Sequence, residues 1–251
     1  MPRNKRMISS TGIYHIMGRG NNKEWIFERE EDKSMFYHVL KETKEQYPFQ
    51  LYAYCIMQNH YHLVVKTDTL EGSMKRLNQH YAMYYNSSRN RVGHVFQDRF
   101  KSVSVEDNAY FLGVIRYVHL NPVAAGLVQD PYQYKWCSYK EYFYETPLMV
   151  DSGYVKENVC PEREFFKRNF IQLHRGDDDR IYLDTKEEVK ERKAQIANRV
   201  FQEQGGVNVD SVNLLRDRTG LTFREIAKFG NISINQVNNY LQKGQSDLAT
   251  E

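Results

Sequence analysis

LYAYCIMQNHYHLVVKT, residues 51–67, holds two short apolar runs on either side of Gln58-Asn59, and the second opens with His60-Tyr61-His62. Both runs are rich in Tyr, Val, Ile and Leu and too short for a helix of ordinary length. The spacing therefore predicts a β-hairpin whose second strand begins at the histidines. Side chains alternate along a strand, so His60, His62 and Val64 share one face while Tyr61, Leu63 and Val65 share the other. Two imidazoles about 7 Å apart then point the same way, on a sheet expected to be covered on its apolar side and open on the histidine side. Such a pair can share one metal ion, or each ring can simply bond a neighbour in a half-buried strand. No Cys-x-x-Cys or second His pair supplies the further N or S ligands that zinc takes. An ion completed by oxygens, Mg²⁺ or Mn²⁺ holding a phosphate, needs less from the protein.

Upstream of the hairpin, GIYHIMG (12–18) reads as a strand stopped at Arg19-Gly20-Asn21-Asn22. Its His15 reads as a plain strand histidine, unless this strand lies beside the hairpin. Glu28–Gln46 carries Met35, Phe36, Val39 and Leu40 at helical spacing, has an acidic first turn, and is closed by Pro48. Downstream, Gly72–Asn86 reads as a helix with Met74, Leu77, Tyr81 and Tyr84 on one side. Arg99–Glu106, RFKSVSVE, alternates as a strand. Asp107 or Asn108 can cap a further helix bearing Phe111, Leu112, Ile115 and Val118, which Asn121-Pro122 should stop.

The order strand, helix, strand, strand, helix, strand, helix is that of an α+β, ferredoxin-like (split β-α-β) domain with one added helix. The crossover helices would cover the Tyr61 face, and the added helix can reach the histidines on the other. On that helix Tyr117 and Asn121 stand four apart and share a side. An Asn carbonyl oxygen is a hard ligand suited to complete a two-His site, and a tyrosine one turn earlier would lie beside the bound phosphate. In a chain with 19 tyrosines, composition alone reads Tyr117 as a packing residue.

Lys plus Arg total 35 against 32 for Asp plus Glu, so the net charge of +3 says little about partners. Its distribution says more. Between Gly72 and Val105 stand Lys75, Arg76, Arg89, Arg91, Arg99 and Lys101 against Asp98, interleaved with Tyr81, Tyr84, Tyr85, Phe96 and Phe100. Cations and rings mixed in this way suit a groove for a phosphate backbone and stacked bases, although a solvated helix face over core tyrosines would look similar. Arg3, Lys5 and Arg6 are either a phosphate-contacting arm or a solvated end. The three cysteines, Cys55, Cys137 and Cys160, fall in no pairing motif, and no apolar run has targeting or membrane-spanning length. Both observations lead us to expect a cytoplasmic protein with no membrane partner.

MQNHYHLVV followed by GHVFQDRFKSVSVEDNAYFLGVIRYVHLNPVAAGLV resembles the single-tyrosine HUH transposases, in particular the REP-associated tyrosine transposase branch. The likeness spans roughly Ile13 to Tyr139. It implies that His60 and His62 are the HUH metal ligands, Tyr117 the nucleophile and Asn121 the extra ligand of a YxxxN pattern. Gln58 stands where relatives commonly have proline, and Tyr61 where they have a small aliphatic. The implied activity is cleavage and rejoining of single-stranded or hairpin DNA through a 5′-phosphotyrosine, with Mg²⁺ or Mn²⁺. Two other readings are another HUH nickase, such as a replication or mobilisation initiator, and a non-enzymatic DNA-binding regulator. Cis or trans action of Tyr117 and a homodimer are left open.

Beyond the likeness, Glu162–Leu173 and Lys186–Gln204 read as helices around the acidic GDDDR. GLTFREIAKFGNISINQVNNYLQK (220–243) reads as two helices about a turn at Gly230-Asn231. This suits a helix-turn-helix, with Asn235, Gln236, Asn238 and Asn239 facing bases and Lys243 a phosphate. The expected organisation is a transposase domain at 1–150, a helical linker region at 151–205 and a DNA-binding unit at 206–251.

Overall fold

The hairpin forms as β2 (Gln50–Ile56) and β3 (His60–Lys66), closed by Met57 N–H donating to His60 O at 2.8 Å. The computed structural model describes residues 8–176, 180–184 and 186–247, with side chains through Tyr240. Arg3, Lys5, Arg6 and the side chain of Lys243 lie outside the described residues. Strand β1 (Ile13–Arg19) pairs antiparallel with β3 on one side and with β4 (Lys101–Ser104) on the other, giving the order β2-β3-β1-β4. With α1 (Glu30–Gln46) and α2 (Leu70–Ser88) as crossovers, this is the ferredoxin-like arrangement.

Helices α1 and α2 bury the face that carries Tyr61. The Tyr61 ring lies 4.7 Å from Phe36 and 6.4 Å from Phe27, and its hydroxyl donates to Asn78 Oδ1 of α2 at 2.8 Å. Phe27, Phe36 and Tyr81 complete the cluster at 4.9–5.3 Å, and each ring pair adds about 0.5–1.5 kcal/mol beyond area burial. Gly18 stands across from Tyr61 in β1, and a Cβ there would overlap the tyrosine ring. The absence of a side chain at Gly18 is what admits so large a residue between the two histidines.

The other face departs from expectation, because it is not open over the histidines. Helix α3 (Asn108–Ala124) lies across β2 and β3, and His60 and His62 are 1% and 0% exposed. Asp107 caps α3 by accepting from Tyr110 N–H at 2.7 Å. Pro122 does not end the helix. It sits in the last turn, which runs on to Ala124 and closes with Ala125 N–H on Asn121 O at 3.0 Å. A proline there cannot donate to the Val118 carbonyl one turn back, so one ladder bond is missing close to the helix end.

Helix α3 is apolar nearly all round because α4 (Ser152–Val159) and α5 (Phe166–Arg175) pack on its outer side. Residues 134–151 meanwhile wrap the outer edge of β2. Cys137 pairs with Cys55 through the backbone, both thiols being free, Ile56 N–H donates to Trp136 O, and Leu51 N–H donates to Asp151. Buried Glu141 accepts from Tyr54 Oη and Met149 N–H, both at 2.7 Å. The edge strand's backbone is thereby paired, as a buried edge requires.

The chain divides into two compact units, Met1–Gly176 and Asp177–Glu251. The region 151–205 is therefore not a unit of its own. Its first half supplies α4 and α5 to the first unit. Its second half is α6 (Lys186–Glu203), which joins α7 (Val209–Thr219), α8 (Phe223–Phe229) and α9 (Ile234–Asp247) around Val200, Val212, Leu215, Ile226 and Val237. Among the described residues no helix is long and apolar enough to cross a membrane.

Candidate active site

Alternation along β3 turns His60 and His62 to one sheet face, and their ring centroids lie 4.9 Å apart. β1 lies directly beside β3, with Met17 opposite His62 and His15 opposite Val64, so His15 reaches the same face. Its Nε2 lies 3.1 Å from His62 Nδ1. On the turn side, His60 Nδ1 lies 2.7 Å from Asn59 Oδ1. An amide oxygen only accepts, which puts the His60 proton on Nδ1 and the ring's lone pair on Nε2.

Helix α3 lays Tyr117 over this group. The phenol ring meets His62 edge-on at 5.6 Å and His15 at 5.9 Å. Asn121, one turn later on the same side of α3, is 6% exposed, and Tyr117 is 8% exposed. Burial, with His62 close by, pushes the His15 imidazole well below the ordinary histidine range, so this ring stays neutral near pH 7. A nucleophile-type side chain, two adjacent ligand-type imidazoles and an amide oxygen carrier thus come from two elements onto one side of one sheet, with His15 added from a third. Residues 9–121, the span that holds all of them, match the family model described as "Transposase IS200 like". This span is similar to the IS200-like transposases.

Among solved structures, one described as "REP associates tyrosine transposase bound to a REP hairpin" aligns at 15% identity. The alignment covers 60% of this chain and 93% of that one, with a TM-score of 0.49. A putative transposase from Deinococcus radiodurans R1 aligns at 15% identity over 47% and 95% of the two chains, with a TM-score of 0.34. No curated protein matches the chain.

Around this site the basic residues separate into two groups. Lys101 pairs with Met17, which puts it on the histidine face two strands from His62, at the exposed β4 edge. Lys75 and Arg99 are exposed and line a groove of about 590 Å³ with Asn78, His94 and Phe96, between α2 and the segment leading to β4. Arg76 is half-buried and contacts His80 at 3.1 Å. Arg89 and Arg91 depart from the expected backbone-facing role, because each is engaged within the fold. Arg89 pairs with buried Asp32 at 2.6 Å and stacks on Tyr85, and Arg91 pairs with Glu24 at 2.7 Å.

In the second unit Asn235, Asn238 and Asn239 are exposed on α9. Gln236 is exposed too, but its Oε1 accepts from Ser233 N–H at 2.8 Å while Ser233 Oγ accepts from Gln236 N–H, a capping box at the start of α9. Gln236 therefore caps a helix where a base contact is expected of it, and the Ser-x-x-Gln spacing is the signal for that role. His15 reads in the sequence as an ordinary strand residue, since its place beside His62 depends on β1 being the neighbour of β3.

Proposed function

We propose that this transposase cleaves and rejoins single-stranded DNA, with Tyr117 as the nucleophile and a divalent ion, Mg²⁺ or Mn²⁺, held by His60, His62 and Asn121. The observation that carries the reading is the Tyr117 ring packed against His62 on the face that also presents His60. The donor set suits an ion that accepts nitrogen and oxygen together and leaves positions for phosphate oxygens. When bound, the ion would offset the phosphodiester's negative charge as the phenol oxygen approaches.

Tyr117 Oη would attack phosphorus in line, forming the O–P bond of a 5′-phosphotyrosine as the P–O3′ bond breaks. The phenol proton leaves to solvent or a nearby base, and the departing 3′-oxygen takes one up. The diester bond energy is retained, so a 3′-hydroxyl of a second strand can reverse the step and join the ends. Holding Tyr117 on a helix buried on both sides limits the conformations it samples before attack. Lys101, Lys75, Arg76 and Arg99 are the cations assigned to the DNA backbone. The RFKS and YVHLNPV residues, which resemble the REP-associated branch, support hairpin-bearing DNA as the substrate class. Helix α9, with Asn235 and Asn239, is assigned to groove contacts by the second unit.

Incubation with Mn²⁺ and a labelled single-stranded oligonucleotide tests the reading. A protein–DNA adduct resistant to denaturant, absent from Tyr117→Phe, is the expected result; a wild-type protein that binds the DNA and never forms an adduct would overturn it.

A further inference from the structure

We propose that His15 is a positioning residue for the metal site, its Nε2 accepting the His62 Nδ1 proton so that the His62 Nε2 lone pair is kept for the ion. The inference rests on the metal reading of His60 and His62 given above. The two ligand histidines reach their working tautomers by different routes. His60 has an acceptor-only partner, Asn59 Oδ1, at 2.7 Å, and its proton position follows from that bond alone. His62 faces another imidazole at 3.1 Å, and two neutral rings can share that contact in two ways.

In one arrangement His62 Nδ1–H donates to His15 Nε2, and His62 Nε2 is a lone pair able to ligate. In the other, His15 Nε2–H donates to His62 Nδ1, and the His62 proton sits on Nε2, where it blocks a metal. His15 is fully buried, and as a neutral imidazole it has one donor and one acceptor to place. In the ligating arrangement the His15 proton lies on Nδ1, a buried atom with no hydrogen-bond partner among the described residues. An ion needs the His62 Nε2 lone pair, which only this arrangement offers, so bound metal selects it. Metal binding and the His15–His62 proton position are therefore coupled, and His15 acts through His62 without touching the substrate. Ring nitrogens of metal-binding histidines are commonly held by such outer partners.

The test uses the full chain with Mn²⁺ and Mg²⁺ as probes. His15→Leu keeps comparable bulk and removes the acceptor; His15→Gln restores an accepting oxygen; His60→Ala serves as a reference for the metal reading itself. Mn²⁺ affinity read by electron paramagnetic resonance should fall about 10- to 100-fold in His15→Leu and recover in part in His15→Gln. Nitrogen-15 spectra of labelled histidine should show the His62 proton on Nδ1 in the Mg²⁺-saturated wild type. His15→Leu binding Mn²⁺ within twofold of the wild type would overturn the inference while leaving the metal reading in place. If wild type and His60→Ala bind Mn²⁺ equally, the metal reading fails and the inference fails with it. Should His15→Leu not fold by circular dichroism, the wild-type spectrum decides: a His62 proton on Nε2 with Mg²⁺ bound contradicts the proposal.

Discussion

At the scale of single residues, burial changes what a substitution at the histidine site does. On an open face His62→Ala would have left stability nearly unchanged. The ring is instead fully buried against Tyr117 and bonded to His15, so its removal leaves His15 Nε2 without its partner and opens a cavity. We expect His62→Ala to cost roughly 1–3 kcal/mol of stability by urea unfolding, in addition to losing Mn²⁺ binding. An unchanged urea midpoint would mean that solvent reaches the site as an open sheet face. Arg89 calls for a similar reassignment. Asp32 is buried, accepts from Arg29 N–H, and has Arg89 as its ion-pair partner. Arg89→Ala should therefore destabilise the first unit by about 3 kcal/mol, with little change in DNA affinity per folded molecule. A stable variant with weakened DNA binding would return Arg89 to the groove. Such assignments were out of reach in the sequence, where nothing distinguishes Arg89, paired 57 residues away, from Arg99, which is exposed.

At the scale of elements, α3 joins the tyrosine to the fold through a line of buried polar groups on its opposite side. His119 lies between His174 Nε2 and Ser138 Oγ, each at 2.9 Å, and Ser138 also bonds the Tyr54 backbone of β2. Burial pushes His174 down to about 4, although its bond to Phe170 O raises it somewhat. Because the folded value lies below the ordinary 6.5, the unfolded chain takes up the extra proton. Stability is then full above about pH 6.5 and is lost as pH falls toward 4, by roughly 3 kcal/mol if His174 acts alone. Urea midpoints measured from pH 7.5 to 4.5 should fall in the wild type and fall less steeply in His174→Gln. A flat wild-type profile would contradict this account of the α3–α5 contact. The elements themselves were largely legible. Alternation marks the hairpin, β1 and β4, and helical spacing marks α1, α2, α3 and α6. The approach of α3 to the histidine face was legible but the full burial of that face was not, because α3 reads as one more amphipathic helix until α4 and α5 are known to bury its far side. Helix α7, VDSVNLLRDRT, was hidden by polar residues that turn outward from a core of Val212 and Leu215.

At the scale of the whole molecule, chemistry and the helical unit fall on opposite sides of the division at Gly176. All residues assigned to the metal and the nucleophile lie between His15 and Asn121. The compact units divide at Gly176, because α4 and α5 pack on α3 and complete its burial, and the composition changes at GDDDR. A fragment ending at Gly176 should therefore unfold cooperatively and still cleave short oligonucleotides, whereas one ending at 150 should not fold. On long DNA the Gly176 fragment should show a shallower dependence of affinity on salt than the full chain, by about one unit of slope for each phosphate it no longer neutralises. Equal slopes for fragment and full chain would assign α6–α9 to structure or to protein contacts.

The central claim is that Tyr117, packed on His62 beside His60, attacks DNA. Mass spectrometry of the full-length protein after reaction with Mn²⁺ and a single-stranded hairpin oligonucleotide tests it most directly. The account predicts a nucleotide adduct on the peptide containing Tyr117, lost in Tyr117→Phe with DNA binding retained. An adduct on another tyrosine, such as Tyr110, or an undiminished adduct in Tyr117→Phe, would contradict it.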